Sequence, residues 1–172
     1  MQADIDILIA QSDSWDGYVR EQAVRALGRL RDGRAFPPLL IRVNDWVPEV
    51  RAAARLALEN YLIPEHAAAW VGCLPVVYHL KHCRRDDHGA FIARVEALLA
   101  QPACWQMLLE GLDSADVRVS RHAFNLVERY DLKPRSQLLD YALQTHDVVI
   151  KRYAEQYVRN APEIDRALFE RL

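Results

Sequence analysis

Glycine is scarce here, six residues in 172. That excludes glycine-rich phosphate loops and argues against turn-dense β architectures. Cysteine is scarcer still: Cys73, Cys83 and Cys104 are odd in number and form no CxxC pair. They suit a reducing compartment, and a cytoplasmic protein is expected. Basic excess is also missing, since the formal charge is −2. This is not the balance of a general nucleic-acid binder. No apolar run is long enough to cross a membrane. The opening residues, MQADIDILIA, lack the basic stretch that begins a signal peptide. Nucleophile elbows and obligatory carboxylate pairs are absent too, so no enzyme chemistry is indicated and no cofactor is expected.

What is present is a repeat. Residues 19–30 read VREQAVRALGRL, and the phrase returns at Val50 (VRAAARLALENYL), Val119 (VSRHAFNLVERY) and Ile150 (IKRYAEQYVRNA). Val19 and Val50 lie 31 residues apart, Val50 and Val119 69, and Val119 and Ile150 again 31. A period near 31 marks a helical solenoid. Three columns agree across the four copies: Val19, Val50, Val119, Ile150; then Ala23, Ala54, Ala123, Ala154; then Leu27, Leu58, Val127, Val158. Positions i, i+4 and i+8 share one helical face. The constant alanine leaves room for the next hairpin to approach closely. With 51% hydrophobic residues the chain can bury a continuous core, and its length is that of one domain.

The pattern D-x(n)-V-R-x-x-A-x-x-A-L-G-x-L resembles the HEAT-like repeat of the phycobilisome-lyase type. Residues 16–30 match best, 49–62 next, and 116–130 and 147–160 keep the apolar columns but lose some polar ones. The resemblance implies an all-α, right-handed α-α superhelix of five helical hairpins plus a terminal helix. The repeats are expected at 3–31, 34–62, 75–100, 102–131 and 135–160, with an insertion at 64–73 and a C-terminal helix at 162–172. Asp13 or Ser14 is expected to cap the second helix of repeat 1, and Asp32-Gly33 to stop it. Trp15 and Trp46 occupy one repeat position and are expected to plug the groove between hairpins.

The second helix of each hairpin, helix B, is expected to line the concave face. Its outward side chains include Arg25, Arg29, Arg94, Arg121, His122, Asn125, Arg129, Arg152, Tyr153 and Gln156. They suggest a groove for an acidic segment of a protein partner, with a nucleic-acid phosphate track disfavoured by overall charge. By resemblance, Arg20, Arg51 and Lys151 form an internal ladder with Asp13, Asp45 and Asp147. His79, His82 and Cys83 are the sole metal-like cluster, a weak zinc candidate without a second ligand pair. A non-catalytic protein-binding scaffold is the function expected. A DNA-repair-like nucleic-acid module and a phycobilin-lyase-like subunit are the alternatives. Neither end of the stack is visibly capped, so end-to-end self-association is a further expectation.

Overall fold

The computed structural model describes residues 2–160. The expected C-terminal helix at 162–172 lies outside the described residues. Eleven α-helices and no strand occur among those described. They are α1 (Gln2–Gln11), α2 (Gly17–Leu30), α3 (Phe36–Arg42), α4 (Pro48–Glu59), α5 (Ala67–Gly72), α6 (Leu74–His79), α7 (Gly89–Leu99), α8 (Trp105–Glu110), α9 (Val117–Arg129), α10 (Arg135–Gln144) and α11 (Val148–Asn160). The architecture is an all-helical solenoid.

The repeat columns explain the stacking. Val50, Val119 and Ile150 are buried, as are all four alanines and Leu27, Leu58 and Val127. The closest approach is between α2 and α4. A Cβ added at Gly28 would lie 2.5 Å from the Ala57 Cβ and 2.9 Å from its Cα. Only a residue without a side chain lets the two helices meet there. Larger side chains fill the junctions further in. Trp70 of α5 packs edge-on against Phe36 at 4.3 Å, lies 6.0 Å from Phe91, and donates its indole N–H to the Tyr61 carbonyl at 2.7 Å. Tyr61 in turn donates its hydroxyl to the Leu27 carbonyl. Each buried polar end thus has a partner.

Residues 64–73 behave differently from the insertion expected there. The 3-10 turn Pro64–His66 starts 31 residues after its counterpart Gly33–Ala35. It and α5 therefore begin repeat 3 in register. The next such turn, Pro102–Cys104, follows only after 38 residues. The extra seven residues lengthen the first helix of repeat 3. Only Cys73 separates α5 from α6, and a 3-10 turn (Leu80–His82) prolongs α6. Pro75 supplies no backbone N–H, which accounts for the break between the two segments.

Three local expectations need correction. The cap of α2 is Asp16, which accepts from the Tyr18 amide at 2.8 Å. Ser14 serves it from behind, its hydroxyl accepting from the Asp16 amide. The helix stops at Arg31, held in the left-handed region at φ 50°, one residue before Asp32-Gly33. Trp15 and Trp46 plug no groove, being 89% and 66% exposed. The turn that carries them points outward, and the gap between hairpins is already filled by Gly28, Ala57 and their neighbours.

Candidate interaction surface

Two arginines organise the turns inside hairpins 1 and 2. Arg20 donates to the carbonyls of Ser14 and Trp15, and Arg51 to those of Asp45 and Trp46. Each arginine closes its own turn in the same way. Its remaining donors reach forward to the next repeat. Arg20 forms a bidentate pair with the buried Asp45, at 3.0 and 2.9 Å, and lies under the Trp46 ring. Arg51 reaches Asp86 at 3.5 Å. Burial alone would raise the Asp45 carboxyl, but the Arg20 hydrogen bonds, the Val47 amide and the charges of Arg20 and Arg42 outweigh it and hold the group below its ordinary value.

The ladder expected from the sequence is therefore real in kind and different in membership. Asp13 pairs with Arg42 from the first helix of repeat 2. Asp147 pairs with Arg121. No ion pair joins Lys151 to Asp147; their link is the backbone bond from the Lys151 amide to the Asp147 carbonyl. The reason is a shift in column. Asp45 stands five residues before its column valine, whereas Asp147 stands three before Ile150. In repeat 4 Ser120 replaces the turn-closing arginine and donates its hydroxyl to the Leu112 carbonyl. The neighbouring Arg121 then supplies the cation.

The helix B face holds most of the residues expected to receive a partner, but many are already engaged. Arg25 binds Glu21 within α2, Arg94 of α7 binds Glu59 of α4, and Arg129 of α9 binds Glu96 of α7. Tyr153 donates to Glu128. His122 stacks on Tyr78 at 4.6 Å; burial, then the nearby Lys81 charge, lowers its basicity. Arg29, Asn125, Arg152 and Gln156 remain exposed on this face. It is largely a set of bridges between successive hairpins, with little net positive charge left over.

The candidate zinc ligands are not brought together. Cys83 is partly buried against the core and its Sγ lies 3.7 Å from the His79 carbonyl. Among the described residues no three His, Cys, Asp or Glu side chains are grouped to hold a metal.

The surface that sequence reasoning missed flanks α6. Because repeat 3 has a longer first helix, α6 and the 3-10 turn after it stand beside repeats 2 and 4 and leave a cleft on each side. One cleft, of about 270 Å³, runs between α3 and α6 and includes Ile41, Trp46, Val76, His79 and Arg85. The other, about 490 Å³, lies between α6 and the start of α9 and includes Tyr78, His79, His82, Asp116, Arg118 and His122. Ile41 is 53% exposed and Val76 38%. Beyond α6 the turn at 83–88 is pinned to repeat 2. Arg85 donates to the Asn44 carbonyl at 3.0 Å, and the buried His88 lies 3.2 Å from the Asn44 side chain and 3.1 Å from Arg55. The break in the 31-residue period was the signal for this surface. Which side of the repeat the extra turns would lengthen was not readable from it.

Comparison with curated proteins finds no match. A family model described as HEAT repeats matches residues 5–100, more than half of the chain. Repeats of this kind generally serve as protein-interaction scaffolds and are typically non-enzymatic. No helix among the described residues is long and apolar enough to cross a membrane. The shared alanine and valine columns, the hairpin stack and the matching model have one explanation: this chain belongs to the HEAT-repeat family.

Proposed function

We propose that the protein is a non-catalytic protein-binding domain whose recognition surface is the groove between α3 and α6. The observation that carries this reading is the exposed apolar rim formed by Ile41, Trp46 and Val76 at the point where the repeat departs from its period. These three exposed apolar side chains gather beside one cleft. Exposed apolar side chains gathered at a cleft are the kind of site where binding is expected. Tryptophan in particular is enriched where partners dock. The cleft falls just below the range of about 300–1,000 Å³ usual for small-molecule sites, and its size suits a side chain of a larger partner. The helix B face is the second reading, supported by Arg29, Asn125, Arg152 and Gln156. A nucleic-acid role draws less support, because the arginines that would track phosphates are spent on carboxylates.

The test is photo-crosslinking in cells of the source organism, with a photoreactive residue at Val76 or, separately, at the exposed Leu56 on helix B. Protein adducts from position 76 alone are expected. Adducts from position 56 alone would return the surface to helix B, and adducts with nucleic acid would displace the protein-binding reading.

A further inference from the structure

We propose a second interaction surface, on the turns of hairpins 1 and 2, that takes a basic segment of a protein partner by seating one of its arginines on the Trp15 indole. It does not depend on the groove between α3 and α6. The chain shows the same recognition in an internal form. Arg20 of repeat 1 holds Asp45 of repeat 2 bidentately, and its guanidinium lies 5.2 Å from the centre of the Trp46 ring. A guanidinium is drawn both to a carboxylate and to the electron-rich face of an indole. Trp15 stands 31 residues before Trp46, at the same repeat position. It is 89% exposed, and among the described residues no cation lies over its ring.

The surroundings of Trp15 supply the complementary charge. Asp13 and Asp16 flank it in one turn. Asp13 keeps 82% of its side-chain surface in solvent although Arg42 reaches it at 3.1 Å. Asp16 caps α2 and makes no ion pair among the described residues. The exposed Tyr18 follows, and its repeat equivalent is the exposed Glu49 at the start of α4, also without an ion pair among the described residues. The two turns lie against each other, since a Cβ added at Gly17 would come within 3.1 Å of the Val47 side chain. Their own cations are largely enclosed. Arg20 is spent on Asp45, Arg42 is divided between Asp13 and Asp45, and Arg51 donates to the carbonyls of Asp45 and Trp46. Arg85 is exposed, but it belongs to the turn of repeat 3 and lines the groove. Exposed carboxylates around exposed aromatic faces complement a partner that brings positive charge. Arginine suits the place better than lysine, because its planar group stacks on an indole while its edge donates to a carboxylate. The same acids repel nucleic acid and anionic lipid.

Binding is measured by fluorescence anisotropy on the full chain, using a labelled peptide of arginines spaced by glycine and serine. The same peptide with citrulline, lysine or glutamate for arginine gives the comparison. The arginine peptide should bind best. Citrulline keeps the shape without the charge and should weaken binding by about fivefold or more. Trp15→Ala should have a similar effect, as should Asp13→Asn with Asp16→Asn. Asparagine also caps helices, so α2 keeps its start and the melting temperature should stay near the wild-type value. No binding by the arginine peptide, equal binding by the citrulline peptide, or full binding by Trp15→Ala overturns the proposal. Loss with Val76→Glu but not with Trp15→Ala moves the peptide to the groove and overturns it as well. A second copy of the chain is the rival occupant. Self-association in sedimentation that Trp15→Ala abolishes would assign the surface to that copy and overturn the partner reading.

Discussion

At the scale of single residues, the tightest constraint is Gly28. A methyl group there would meet the Ala57 backbone at 2.9 Å, and backbone cannot rotate away. Gly28→Ala should therefore cost about 2 kcal/mol through overpacking, although alanine favours helix more than glycine does. The check is a denaturant titration, and an unchanged midpoint would contradict the close approach. Asp45 is the second such residue. Among the described residues it is the sole carboxylate paired with the buried Arg20 guanidinium, so Asp45→Ala should cost about 3–5 kcal/mol by leaving that charge uncompensated. His88 adds a pH dependence. Burial, then the Arg55 charge, lowers its proton affinity in the fold. The unfolded chain binds the proton first, so stability should fall as pH drops below about 6.5. His122, lowered by burial and Lys81, acts in the same direction. Melting temperatures recorded between pH 7.5 and 5 should decline, and His88→Asn should flatten the curve. A slope unaltered by the substitution would remove His88 from this account.

At the scale of elements, the starts of α2, α9 and α11 share one device. Asp16 and Asp116 each accept an amide two residues on, from Tyr18 and Arg118, and each donates its own amide to the hydroxyl of a serine two residues earlier. Asp147 and Thr145 repeat the arrangement at α11. Asp116→Ala should cost about 1 kcal/mol through loss of the cap, measurable as a lower melting temperature with helicity otherwise intact. Ser-x-Asp and Thr-x-Asp triplets stand at these starts, yet Asp13 or Ser14 was the cap expected in repeat 1. Capping depends on which residue takes an extended backbone, and Asp13, Ser14 and Asp16 compete there on equal chemical terms. The first helix of repeat 3 was harder still. Periodicity showed surplus residues between two clear repeats, and the insertion expected at 64–73 was not where they were absorbed.

Across the whole molecule, stability depends on a core that passes from one hairpin to the next. Leu58 is fully buried in that core. Leu58→Asp should unfold the chain, because a buried unpaired charge costs more than the roughly 5–15 kcal/mol by which a domain is stable. Circular dichroism would show it, and a mutant melting like the wild type would refute the register. The helical class and most of the buried columns were legible beforehand. They depend on side-chain periods of 3.6 and 31, which are properties of the chain read in one dimension. Arg20 and Arg51 were likewise expected, by resemblance to the repeat family, to be structural residues. Their partners were not, nor was the pairing of Arg94 and Arg129 with Glu59 and Glu96. Residues 25 to 35 positions apart meet only after hairpins stack, and a one-residue shift, as from Ser120 to Arg121, redirects a charge. For the same reason composition suggested a basic helix B face, while folding paired Arg25, Arg94 and Arg129 on it with carboxylates. Order along the chain settles which residues are buried; the distance between neighbouring hairpins settles which charges remain for a partner.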